Sequence, residues 1–367
     1  MERSRGSRAA KAVTGRIRAT IGTRVFSLAA LALLLGASAG DGDLKSSLQL
    51  TAAVYFAHID SIAPVAGRDT TFDYYQRLLD DADQLSDPAV PAGYAQAQWA
   101  QTVSRTAQLD LSLAKQLLAS SVTPFDAMGS IRGLGETFVR SSKDGTMQPV
   151  AVYVPPDYRP GRPASLVVLL HGHPQSETQL LSPPYLALLA AKTNTIVVAP
   201  WGRGYYDFRG SVSDVYDAFD AAIRAFAIDP RKRYLAGYSM GGFSVFEVAP
   251  VHPNDWSAVM CIAGSLLGSD APPVLAMLRT VPFYVLTGSD DESIPTRYPA
   301  STAAYLHAAG LDVSFYSQPG GIHRMITLLP ILTLAWNDML AQIVRAPPEN
   351  LGRIQLPASI PMSALKP

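Results

Sequence analysis

Hydrophobic residues follow two rhythms along this chain. Between residue 44 and about residue 125 they recur at spacings of three and four, with Trp99, Val103, Ala107, Leu111, Ala114 and Leu118 on one helix face. Further helices are expected over 44–59 and 72–85, separated by the breaker-rich stretches SIAPVAGRD and SDPAVPAG. From about Gly133 the pattern changes. ETFVRSS and QPVAVYVP flank the turn KDG and read as a hairpin. Short apolar runs follow, SLVVLLHG, NTIVVAP, KRYLAGYS, SAVMCIAG, PFYVLTG and DVSFYSQPG, each separated from the next by a helix-length segment. Strands that are apolar throughout and alternate with helices predict a mostly parallel, doubly wound sheet covered on both faces, an α/β fold.

The composition suits such a core: 48% of the 367 residues are hydrophobic and 16% charged. Thirty basic and thirty acidic side chains leave a formal net charge of zero, which gives no electrostatic footprint for nucleic acid or an anionic membrane. The basic charge is uneven at one end. Arg3, Arg5, Arg8, Lys11, Arg16, Arg18 and Arg24 precede the apolar run VFSLAALALLLG, which ends in ASA at positions 37–39. A charged n-region, an apolar h-region and a small-residue site predict an export leader over 1–39, cleaved before Gly40. The apolar run is short for a membrane span, which needs roughly 20 residues, so no stable span is expected after cleavage. The one cysteine, Cys261, lies in a strand-like run and allows no internal disulfide. A secreted or periplasmic product, stabilised by its core, is expected.

The chemistry begins at LAGYSMGGFS. Ser239 stands between Gly237 and Gly241, directly after one apolar run and before the helix-like GGFSVFEVA, so GxSxG falls on a strand-to-helix turn. A serine hydroxyl needs a base to take its proton and a third group to orient that base. His58 and His307 lie on helices, and His252 ends the helix after the serine. His171 and His173 precede the serine, whereas the hydrolase order is serine, acid, histidine. His323 in QPGGIHRM, just after the last strand, is the expected base. The penultimate strand ends in SDDESIP and offers Asp290, Asp291 and Glu292, among which composition does not choose. An oxyanion is expected to meet the amide of Met240, next after the serine, and one from LLHGHPQSE, where His173 can donate and Pro174 cannot.

With these segments in place, the chain from about 133 to 344 resembles the α/β-hydrolase superfamily, in particular secreted esterases related to feruloyl esterases, polyhydroxybutyrate depolymerases and the catalytic domain of prolyl oligopeptidases. The motifs are LLHGHPQSE, IDPRKRYLAGYSMGGFS, LTGSDDESIP and PGGIHRM. The superfamily's acid strand often ends HGxxDxxVP. Aligning TGSDDESIP with it puts Thr287 at the histidine, Ile294 at the valine and Asp291 at the acid, with Asp290 in reserve. The resemblance also makes His173 the oxyanion donor and His171 a structural residue of that loop. Trp201, Tyr205, Tyr206 and Phe208 follow a strand whose carboxyl end should face the serine; Trp201 and Tyr205, with Tyr238, are the candidate substrate contacts, while Asp214 and Asp217 are expected to be structural.

The expected protein is a secreted serine hydrolase acting on small or polymeric carboxylic esters through Ser239, His323 and Asp291. The chemistry needs no cofactor or metal, and the sequence carries no clustered ligand motif. The expected organisation is a leader (1–39), a helical region (40–130), a catalytic domain (131–346) and a C-terminal tail (347–367). A peptidase of the prolyl oligopeptidase type, an acyltransferase and a non-catalytic binding protein are the alternatives. Only about 80 helical residues stand where prolyl oligopeptidases carry a propeller, which argues against a gated peptidase.

Overall fold

The computed structural model describes residues 41–119, 128–204, 208–266 and 278–343; the leader, Tyr205, Tyr206 and the tail lie outside the described residues. Four helices come first: α1 (Asp41–Ala57), α2 (Ile59–Ala66), α3 (Arg68–Ser86) and α4 (Gln96–Ala119). Three of them fall where the periodicity predicts. The exception is α2, which lies in the expected breaker and holds Pro64 inside it. Proline removes one helical hydrogen bond, and a short segment with Ile62 and Ala66 both buried tolerates that loss.

Eight strands form one sheet: β1 (Gly133–Arg140), β2 (Met147–Val154), β3 (Ala164–Leu170), β4 (Thr195–Pro200), β5 (Ile228–Tyr238), β6 (Ala258–Ile262), β7 (Phe283–Gly288) and β8 (Val313–Gln318). Their order across the sheet is β1-β2-β4-β3-β5-β6-β7-β8. The β1–β2 hairpin pairs antiparallel within itself and with β4, and β3 to β8 run parallel. Successive side chains of a strand point to opposite faces. Val150, Val152 and Val154 therefore join the core on one face, with α7 (Val212–Ala225), α8 (Met240–Val248) and α9 (Arg297–Ala308). Ala151 and Tyr153 join the core on the other, with α5 (Glu177–Leu181), α6 (Pro184–Lys192) and α10 (Leu329–Leu340).

A third core belongs to the first four helices. Leu48, Tyr55, Tyr74, Leu78, Leu113 and Leu117 are fully buried there, together with Phe138 and Met147 of the hairpin. The helical layer thus shares apolar packing with the antiparallel end of the sheet. One topological feature positions the site. From β3 the chain goes to β4 on one side and returns to β5 on the other, so the strand order reverses there. In open α/β sheets, ligands bind outside the carboxyl ends of the strands at such a switch point. Among the described residues, no helix is long and apolar enough to cross a membrane.

Candidate active site

Ser239 sits at that switch point, between the last residue of β5 and the first of α8. Its backbone is held at φ 53°, ψ −115°, a conformation that costs a non-glycine residue roughly 1–3 kcal/mol. Two backbone bonds hold it there: the Ser239 amide donates to the Ile262 carbonyl at 2.8 Å, and the Gly241 amide donates to the His171 carbonyl at 3.0 Å. The flanking glycines are steric requirements. A Cβ on Gly237 would lie 2.0 Å from the Gly241 oxygen, and one on Gly241 would lie 2.3 Å from the Leu170 oxygen.

Two loops bring the partners to the serine. The turn after β7 carries Asp291 and the loop after β8 carries His323, and the two touch so closely that a Cβ on Gly288 would lie 2.1 Å from the Gly321 oxygen. They are also laced by hydrogen bonds, from the Asp290 amide to the Gly321 carbonyl at 2.9 Å and from the Gly320 amide to Ser289 Oγ at 2.8 Å. His323 Nε2 lies 2.8 Å from Ser239 Oγ, and His323 Nδ1 lies 2.7 Å from Asp291 Oδ2. The second oxygen of Asp291 accepts the Ile294 amide at 2.7 Å. With its side chain fully withdrawn from solvent, this carboxylate has both oxygens satisfied. Asp290 and Glu292 point outward, and Asp290 Oδ1 accepts only the neighbouring Ser289 hydroxyl, at 2.7 Å.

The other candidates fall into place around this chain of bonds. Met240 opens α8, so no carbonyl of its own helix can reach its amide. His173 stands exposed in the loop after β3. His171 is buried, and its Nε2 donates to the Trp201 carbonyl at 2.7 Å. Trp201 is itself buried, with its amide donating to Pro149 at 3.1 Å. Tyr205 lies outside the described residues. Tyr238, expected to touch substrate, is buried beneath His323: the rings stack at 5.5 Å between centroids, and the Tyr238 hydroxyl donates to the His323 carbonyl at 3.0 Å. Burial pushes that hydroxyl up to about 12, so it keeps its proton at working pH. Asp214 accepts hydrogen bonds from Ser141 and Arg203, and Asp217 accepts the Ser142 amide at 2.7 Å, so both tie the hairpin turn to α7. Burial likewise pushes the Cys261 thiol up to about 12, which removes it as a rival nucleophile. Among the described residues, no group of three or more His, Cys, Asp or Glu side chains is arranged to hold a metal ion.

A serine at a strained strand-to-helix turn, above the switch point of a mostly parallel sheet, agrees with the match of residues 167–363 to a family model. The chain belongs to the alpha/beta hydrolase family. A curated relative, a bifunctional acetylxylan esterase/xylanase of Neocallimastix patriciarum, is 26% identical over 156 residues, which span 41% of this chain and 22% of that protein. The alpha/beta hydrolase chain is thus similar to only about a fifth of that relative. Among solved structures, a thermostable esterase superposes with a TM-score of 0.50 at 18% identity, covering 57% of this chain and 63% of that one. A ferulic acid esterase from Anaeromyces mucronatus has a TM-score of 0.47 at 16% identity, covering 57% and 90%. At 18% identity the likeness to the thermostable esterase is one of fold alone.

One feature of the site has no local signature in the sequence. Arg77 on α3 reaches Glu177, the first residue of α5, from 100 positions away, with Nη1 and Nη2 donating to the two carboxylate oxygens at 2.8 and 2.9 Å. The available hint is its position, because Tyr74, Arg77, Leu78 and Asp81 share the buried face of α3. A cation on the buried face of a helix implies a buried partner.

Proposed function

We propose that this alpha/beta hydrolase is a serine esterase in which Ser239 is the nucleophile, His323 the general base and acid, and Asp291 the group that orients the histidine. The observation that supports this most directly is the unbroken run of hydrogen bonds from Ser239 Oγ through both imidazole nitrogens to a carboxylate withdrawn from solvent. Ser239 Oγ attacks the ester carbonyl carbon while its proton passes to His323 Nε2. The amides of Met240 and His173 receive the negative oxygen. Asp291 stabilises the imidazolium, which then protonates the leaving alcohol as the C–O bond breaks and an acyl-enzyme remains. Water attacks this ester with His323 again as base, and the acid leaves with Ser239 restored. The carboxylic-ester class is supported by the curated relative, which is named as an acetylxylan esterase.

A fluorophosphonate probe and an aryl ester test this reading. Wild type should label at Ser239 and release the phenol, and Ser239→Ala should do neither. Labelling that persists at another residue in Ser239→Ala would overturn the assignment. We further propose that residues 1–39 direct export and are removed before Gly40, on the strength of the charged, apolar and small-residue segments in that order.

A further inference from the structure

The loop that carries the His173 amide is held from outside the sheet. At its end, Ser176 caps α5 in a reciprocal pair with Gln179, and the next residue, Glu177, is fully buried. The Arg77 guanidinium grips both oxygens of Glu177, and its Nε contacts Asp73 at 2.5 Å. At the start of the same loop, His171 Nε2 is fixed by the Trp201 carbonyl. The same guanidinium lies 5.8 Å from the centroid of the Trp201 ring. One side chain of the helical layer therefore contacts the supports at both ends of the loop. Further bonds from α4 follow along the chain. Thr178 Oγ1 donates to Asp110 at 3.0 Å, Thr106 Oγ1 donates to Ser182 Oγ at 2.8 Å, and Arg105 Nη1 donates to the Ser182 carbonyl at 2.9 Å.

Stability alone is a poor explanation for this arrangement. Desolvating two ions often costs as much as their attraction returns, and well-packed apolar residues of similar volume do as well or better. A two-pronged guanidinium–carboxylate contact instead fixes direction, because both hydrogen bonds are lost when either plane tilts. An oxyanion donor is sensitive to direction in the same way.

We propose that Arg77 is a positioning residue for the oxyanion loop: by gripping Glu177 and packing on Trp201 it sets the His173 amide against Ser239, which gives this one side chain of the N-terminal helical layer a part in catalysis. The catalytic half of this inference rests on the serine esterase reading. The mechanical half, that Arg77 holds residues 171–177 in place, does not.

The test uses the full chain with Arg77→Lys, which keeps the charge and loses the fork, and Glu177→Gln, which keeps the shape and loses the ion. Leu113→Ala is the control, since it opens the helical core without touching the loop. For each variant, kcat is measured on an aryl ester per fluorophosphonate-titrated site, together with inhibition by an arylboronic acid, whose tetrahedral serine adduct places an oxygen where the oxyanion sits. Both Arg77→Lys and Glu177→Gln should lose about 10- to 100-fold in kcat with KM changed less than about threefold, and boronate affinity should fall in parallel. Hydrogen exchange at residues 171–177 should quicken at least about tenfold while β6 and β7 keep their protection. Leu113→Ala should lower the melting temperature and leave kcat per site unchanged. Unaltered kcat and exchange in folded Arg77→Lys or Glu177→Gln would overturn the proposal, as would an equal loss of kcat in Leu113→Ala. A wild type that neither labels nor cleaves esters refutes the esterase reading instead, and the exchange measurement still decides whether Arg77 holds the loop.

Discussion

Replacing Asp291 by asparagine isolates a single charge. Asparagine is nearly isosteric with aspartate, and its oxygen can still accept the Ile294 amide, which Asp291 Oδ1 now receives at 2.7 Å. What changes is the partner of His323 Nδ1, 2.7 Å from Oδ2. In the proposed mechanism Ser239 surrenders its proton and an imidazolium forms with its charge centre roughly 4 Å from the carboxylate; at an effective dielectric constant of about 20 their attraction is about 4 kcal/mol. At 1.36 kcal/mol per decade, that is about a thousandfold in kcat. A second effect acts in the same direction: an amide NH2 facing Nδ1 favours the tautomer with the proton on Nε2, which cannot accept the serine proton. The expected fall is therefore about 10³- to 10⁴-fold, with KM little altered. Asp290→Asn is the companion variant. Its side chain is exposed and bonded only to Ser289, so turnover should stay within about twofold of wild type, as for other surface changes. Initial rates on an aryl ester, normalised to fluorophosphonate-titrated sites, measure both. An Asp291→Asn enzyme that keeps more than a tenth of wild-type kcat, or a larger loss in Asp290→Asn, would refute the reasoning.

Two further expectations concern the rest of the chain. Burial pushes the Asp110 carboxyl up to about 7, opposed by Arg77 and helped by Glu177, and burial beside Asp110 raises the Asp81 carboxyl as well; the folded pair therefore holds protons that the unfolded chain releases near pH 4, and stability declines as pH rises above about 4. Asp110→Asn should flatten that decline by up to a few kcal/mol and raise the melting temperature at pH 8; thermal scans at pH 5, 6.5 and 8 that match wild type would disprove it. For export, N-terminal sequencing of protein recovered from outside the cytoplasm should begin at Gly40, and an N-terminus at Met1 there would contradict cleavage.

The candidate site was legible in uneven measure. Ser239 could be read because GxSxG needs only a strand before it and a helix after it, and the strand's apolar run and the following helix lie within a dozen residues. His323 followed by order along the chain. Among Asp290, Asp291 and Glu292, local sequence had nothing to say, because three acidic side chains in a row differ only in direction. The resemblance to hydrolases pointed to Asp291, and the folded turn gives the physical distinction: one carboxylate is turned inward onto His323, and the other two face solvent. Tyr238 has partners that local sequence does not reveal. From sequence an aromatic beside Ser239 is a candidate substrate contact, and in the fold its ring and hydroxyl also meet His323, which is 85 positions away.

Periodicity along the chain determined the class of fold, the eight strand-forming runs and the turn that exposes Ser239, because these depend on forces that act between residues near in sequence. Even there Pro64 shows the limit, since burial of Ile62 and Ala66 kept a helix where local preference predicts a break. Tertiary structure alone decided what Tyr238 touches and how the helical layer grips the loop after β3, and it supplied the physical ground for Asp291 over its acidic neighbours. Arg77 and Glu177 are unremarkable in their own neighbourhoods and become a pair when α3 packs against the sheet. Such pairings leave no local pattern, because their energy arises only where two distant segments exclude the same water.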